Sequence, residues 1–375
     1  MKINKLNFKE YAAKKPIMLS SSGKFLAIKE VITDRRMALG SLHTLSGDKQ
    51  IQLTLERYKL EPDFKLGIFG NGTMTKSEVM KNIKDQTEFG KVAVQVEMQY
   101  CNELLKLAKS RKVVRYPRGP IKPTRVIPDW KQIRRCFWFK LKTNALFAEN
   151  TTDSVTSPFA AYRIANVHPK YAARGFNVLA ITGTNDTRTN FLTHAKKSLT
   201  VYISGIGHGN YDVYTGHAGN HILKVGAYDA SEVNNKAIHF LSCRTAATLG
   251  PDTITKGAHC YVGYDENFTF VWDDPSTPIN EADLFKKCDS TFDIWMAYGY
   301  TAQQAYNASI ATFNASIALV PGTAAASWLS YDRDHMRLHG DPATRVLPYK
   351  YVKLCFPFKV LRHEEMLAEM GDLMD

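Results

Sequence analysis

Two residues in the second half of the chain have the types and settings of a nucleophile and its base. His208 lies in Ser204-Gly205-Ile206-Gly207-His208-Gly209, directly after the apolar run 199–203 (LTVYI). Cys243 lies in Leu241-Ser242-Cys243-Arg244, directly after a second apolar run, 237–241 (AIHFL). A thiolate attacks an acyl carbon, and an imidazole moves the proton that the leaving group needs. Glycines beside the histidine permit positive φ and let a substrate backbone approach the ring. A cysteine in the first turn after a strand is expected near a helix N-terminus, where the dipole favours the thiolate. Taken singly, Cys243 reads as a small buried hydrophobe and His208 as a polar loop residue. Their matching positions after two strands make them a dyad.

The elements that must hold this pair can be read from the same half. Runs 177–181 (NVLAI), 199–203, 237–241 and 260–263 (CYVG) are short, apolar and separated by helix-sized connections. They predict a buried, mainly parallel sheet with helices on both faces. Ligands of such sheets sit beyond the carboxyl ends of the strands, where the polar and glycine-rich residues fall. Segment 294–319 predicts one packed helix, stopped by Pro321-Gly322. Earlier in the chain, 51–60 (IQLTLERYKL) alternates apolar and polar residues and predicts a strand. Segment 91–107 predicts a strand turning into a helix, and 136–147 returns to a strand-like texture. Segment 150–157 (NTTDSVTS) is polar and predicts a weakly structured junction. The expected organisation is a basic α+β domain over 1–150, an α/β domain over 151–350 and an extension over 351–375.

The charge is divided in the same way. The chain of 375 residues carries a net +13, but residues 1–150 hold 30 Lys and Arg against 14 Asp and Glu. Segment 106–142 has 13 basic side chains and a single acid, Asp129. Such a block is a footprint for an anionic partner, nucleic acid, an acidic membrane face or an acidic protein, or else a solvated basic face. Four prolines (117, 120, 123 and 128) favour an extended backbone there, and Tyr116, Trp130, Phe137, Trp138 and Phe139 lie among the charges. The six cysteines are widely spaced with no CxxC pair, which argues against a disulfide framework and a structural zinc site. No apolar stretch reaches the length of a membrane helix, and residues 1–18 contain no apolar core of a secretory signal. A reducing cytoplasm is the expected compartment. His208, His217 and His221 do not make a metal set, because glycines 216 and 219 break the register and no carboxylate partner is evident. No metal and no cofactor are expected.

The His-Gly block after one strand and the Cys block after the next resemble the caspase-like cysteine peptidases. The texture is most similar to their CHAT and gingipain-like members. SGIGHGNYDVYTG and HFLSCRTAATLG resemble the two catalytic blocks, and GAHCYVGYDENFTFVWDDP resembles the following strand and an aromatic loop beside the primary pocket. YGYTAQQAYNASI and HGDPATRV are similar to the next helix and the closing strand, so the likeness spans roughly 175–348. The resemblance implies a three-layer α/β sandwich and peptide hydrolysis without a cofactor. Cys243 would be the nucleophile, His208 would handle the proton, and the N–H groups of Gly209 and Cys243 would meet the oxyanion. No third member is named. Asp186 or Arg188, with Trp272, Asp273 and Asp274, would line the P1 pocket, and Asp186 would select Arg or Lys. The competing expectation is a nucleic-acid- or partner-binding protein built on an inactive scaffold of this kind. A hydrolase of the GxSxG type is excluded by the lack of that motif.

Overall fold

The computed structural model describes residues 6–20, 23–33, 45–70, 72–109, 137–272 and 279–354. They form two compact units. One comprises 1–121, 267–289 and 308–335; the other comprises 122–266, 290–307 and 336–375. The division suggested by the sequence, 1–150 and 151–350, differs from this partition, because two later segments return to the first unit.

The second unit is built on a six-stranded sheet. Its strands are β1 (Asn144–Glu149), β2 (Asn177–Thr182), β3 (Thr200–Ile206), β4 (Ala237–Leu241), β5 (Cys260–Tyr264) and β6 (Met336–Gly340). Their spatial order is 2-1-3-4-5-6. The first five run parallel, and β6 pairs antiparallel with β5. Alternation along the strands sends side chains to two different layers. Leu146, Ala148, Ile203, Ile238 and Phe240 pack with Phe191, Ala195 and Leu249 in an apolar core. These partners come from helices Arg188–Ala195 and Leu249–Thr255. The opposite face is polar as well as buried. Arg163 donates to Glu149 at 3.1 Å and to Asp293 at 2.6 Å, and Asp293 also accepts from Tyr202 and Ser204. Burial would raise the Asp293 carboxyl, but the charges of Arg163 and His239 hold it below the usual range.

The first unit is mainly helical, with a small antiparallel sheet in which Lys65–Ile68 lies between Thr269–Val271 and Gly72–Thr75. Segment 51–60 is not a strand. It belongs to helix Gly47–Lys59, and its buried residues Leu53, Thr54, Arg57 and Tyr58 follow helical spacing. Arg57 breaks the apolar alternation because it is paired inside with Glu97 at 2.6 Å. Segment 91–107 is helical throughout, within Glu88–Lys109. The helix expected over 294–319 is two, Glu281–Ala297 and Ala302–Leu319, parted at Gly299, whose φ is +79°. No helix among the described residues is long and apolar enough to cross a membrane.

Candidate active site

β3 and β4 are parallel neighbours, with Ile206 opposite Leu241. The residues that follow them therefore leave the same edge of the sheet side by side. The Gly207 N–H donates to the Leu241 carbonyl at 3.3 Å, tying the histidine turn to the cysteine turn. His208 opens a short strand, His208–Asn210, that pairs with Val213–Thr215. The glycines around it are required for space. None of Gly205, Gly207 and Gly209 has positive φ. A Cβ on Gly209 would lie 2.8 Å from the Cys243 carbonyl oxygen and 3.0 Å from Ser242 Cβ. One on Gly207 would lie 2.0 Å from the Thr215 carbonyl oxygen.

Cys243 is buried, two residues beyond the end of β4. It does not sit at a helix N-terminus, since the next helix begins only at Leu249. A strained turn presents it instead. Arg244 has φ +61°, a conformation that costs an L residue other than glycine on the order of 1–2 kcal/mol. Neighbouring contacts hold the turn. The Arg244 N–H donates to the Glu266 carbonyl at 3.1 Å, and the Ala246 N–H donates to the Tyr264 carbonyl at 3.0 Å. The Arg244 guanidinium lies over the Tyr211 ring and 3.4 Å from the Glu266 carboxylate. Burial holds the other described thiols protonated, Cys101 pushed up to about 11 and Cys260 to about 12.

A residue that sequence reasoning missed completes the site. Asp153 Oδ2 lies 3.2 Å from His208 Nε2. Its loop follows β1, and the Asn150 N–H donates to the Ile206 carbonyl at 2.8 Å, so the loop is fastened to the end of the histidine strand. Asp153 Oδ1 accepts from the N–H groups of Val155 and Thr156; Oδ2 accepts from the Asn150 amide and the Thr156 hydroxyl. Burial alone would raise this carboxyl, but the hydrogen bonds from His208 and Thr156 carry it below the ordinary range. The supposed weak junction at 150–157 is thus a hydrogen-bonded turn. Its signal was available: 144–149 is another apolar run, and Asp153 stands in the polar cluster just beyond it.

The residues expected to read P1 have separate fates. Asp186 is fully buried, and neither carboxylate oxygen has a hydrogen-bond partner among the described residues. Burial and then the Glu149 charge push its pKa up to about 8. Gly216 covers it, with room for no side chain: a Cβ there would lie 2.6 Å from Asp186 Oδ2. Arg188 is engaged elsewhere, both of its terminal nitrogens bonding the buried Glu232 carboxylate. Trp272 belongs to the other unit, where its backbone N–H donates to the Lys65 carbonyl at 2.8 Å. Asp273 and Asp274 lie outside the described residues. His217 Nδ1 lies 3.2 Å from the Thr152 hydroxyl, and His221 is exposed at the start of a strand.

No family model matches the chain, and no curated protein matches it in sequence. Among solved structures it is similar to the Arg-specific cysteine proteinase gingipain R, at 11% identity and a TM-score of 0.38 over 55% of this chain and 48% of that one. It is also similar to the complex of Porphyromonas gingivalis RgpB pro- and mature domains, at 10% identity and a TM-score of 0.35 over 54% and 47% of the two chains. The chain spans about half the length of the solved structures it matches.

Proposed function

We propose that the protein is a cysteine endopeptidase in which His208 and Cys243 act as the dyad and Asp153 orients the histidine. The observation that carries this reading is the convergence of three strand ends: β1 delivers Asp153, β3 delivers His208 and β4 delivers Cys243. A neutral imidazole that donates Nε2–H to Asp153 keeps its lone pair on Nδ1, the nitrogen that then exchanges protons with the reacting groups. The Cys243 thiol gives its proton to His208 Nδ1, making the histidinium, and its sulfur forms a bond to the scissile carbonyl carbon as the carbonyl π electrons move onto the oxygen. The C–N bond breaks, and the histidinium gives its proton to the departing amine. Water, deprotonated by the same ring, then hydrolyses the thioester and returns the thiol. The N–H groups of Gly209 and Cys243 are the donors assigned to the oxyanion.

The preferred P1 residue in this reading is Arg or Lys, taken by Asp186. A buried carboxylate whose two oxygens accept from nothing among the described residues is complementary to a guanidinium or ammonium. The cation would enter by displacing the loop 216–220, which is exposed at 218–220 and contains Ala218 at φ +52° and Gly219 at φ +74°. A positional library of fluorogenic peptides, cleaved in parallel by the protein and by Cys243→Ala, tests the whole reading. Cleavage after Arg or Lys that vanishes in the variant supports it. Equal cleavage by both proteins, or a preference for an acidic P1, overturns the dyad or the pocket respectively.

A further inference from the structure

One flank of the α/β unit carries a feature that peptide hydrolysis does not use. Strands Phe137–Lys142 and Tyr349–Leu354 pair antiparallel as a separate two-stranded ribbon. In its register Lys142 faces Tyr349 and Lys140 faces Tyr351. Residues two apart on a strand share a face, so these four side chains stand together on one side of the ribbon. The Lys140 ammonium lies 3.5 Å from the centroid of the Tyr349 ring, the diagonal contact this register allows. Tyr351 is 41% exposed, and Lys140 and Lys142 are exposed.

The surface continues beyond the ribbon. Gly175 lies against the Tyr349 hydroxyl, since a Cβ there would come within 2.6 Å of it. The preceding residue, Arg174, places its guanidinium 4.8 Å from the centroid of Tyr298. Arg345 donates to the carbonyl of Gly299, next to Tyr298. Cations and rings thus alternate across adjoining elements. The segments that supply them, 137–148, 154–185, 294–307 and 342–354, contain no Asp or Glu; of the acids that bound them Glu149, Asp186 and Asp293 are buried, Asp153 is half-buried and Asp341 is exposed. A solvated face of ordinary composition mixes both signs of charge. A surface of one sign set with planar rings is the equipment for holding phosphates while bases stack.

We propose that this ribbon face binds single-stranded nucleic acid, with Lys140, Lys142 and Arg174 on phosphates and the Tyr351 ring under a base. Rings on the face favour a single strand, whose bases are open for stacking, over a duplex, which offers only phosphates. The expected partner at the basic block 106–142 is thereby placed on its last six residues, the part of that block with described strand structure. This binding is independent of the peptidase reading, because none of these residues belongs to the Asp153–His208–Cys243 site.

The test uses the full chain and a fluorescein-labelled 20-nucleotide oligo(dT), read by anisotropy across a salt series. Lys140→Glu/Lys142→Glu should weaken binding by tenfold or more and lower the salt slope by about 1.4, two contacts at about 0.7 each. Tyr351→Ala should weaken binding roughly tenfold and leave the salt slope in place. An unchanged circular dichroism spectrum and melting temperature in each variant establish that the fold is kept. Equal affinity of wild type and both variants would overturn the proposal. So would equal or tighter binding of a duplex, of anionic phosphatidylserine vesicles or of polyglutamate in competition.

Discussion

Asp153 and Asp186 stand on loops that leave the same edge of the same sheet, after the neighbouring strands β1 and β2. Their surroundings differ in kind. Asp153 accepts from two backbone N–H groups, a hydroxyl and an amide, and it faces His208. Asp186 accepts from nothing among the described residues and feels the charge of Glu149. One carboxylate is therefore kept ionised well into acid, and the other holds its proton up to about pH 8. A saturated carboxylate suits a fixed role, orienting a ring. An unsaturated one is suited to a partner that arrives from outside. Position on the sheet does not decide the role; the count of donors does.

Substitutions at the two positions can break that contrast. The largest effect is expected for Cys243→Ala, which should abolish cleavage with the fold retained, measured by peptide turnover and thermal melting. Asp153→Asn should follow, lowering kcat by roughly 10²–10⁴, the scale on which removing a histidine-orienting acid acts. Its KM should stay near that of the wild type. Gly209→Ala should cost about 2 kcal/mol of stability and most of the activity, because its methyl group collides with the Cys243 carbonyl. A melting curve and a turnover assay on the same sample would separate the two losses.

Asp186→Asn sharpens the comparison through the sign of its pH dependence. Native Asp186 has a pKa raised above its unfolded value, so its contribution to stability is complete in acid and disappears as pH rises through about 8. The amide removes that loss. Its melting temperature should exceed wild type by several degrees at pH 9, on the scale of 2–4 °C per kcal/mol recovered, and match it near pH 4. Discrimination for Arg over Met at P1 should collapse in the same variant. The smallest effect is expected from Thr156→Val, which removes one hydroxyl donor from Asp153 and should reduce kcat by a few fold.

Legibility in the sequence followed burial. The strands that carry His208 and Cys243 are continuous apolar runs because they are covered by helices on both faces, and β4 ends at Leu241 as its sequence implies. Helix Gly47–Lys59 was illegible because two of its buried positions, Thr54 and Arg57, are polar, the latter paired with Glu97, so the apolar residues of the string do not trace the buried helical stripe. Asp153 was passed over for a related reason. Its environment is made by tertiary contacts, above all the hydrogen bonds of the Asn150–Thr156 turn and the approach of His208, which a polar string of residues does not display. The glycines beside His208 are visible in the sequence, but their constraint is not: they relieve close packing and do not supply positive φ.

The buried Asp186 also ties the proposed recognition step to the proton balance of the solution. Below pH 8 the free protein carries a proton on this group that a bound P1 cation must expel. Each Arg-peptide binding event therefore releases nearly one proton to the buffer. Affinity should climb almost tenfold for each unit of pH up to about 8 and then level off. Titration calorimetry in two buffers of different ionisation enthalpy would record the release as a difference in apparent heat, even with the nucleophile removed.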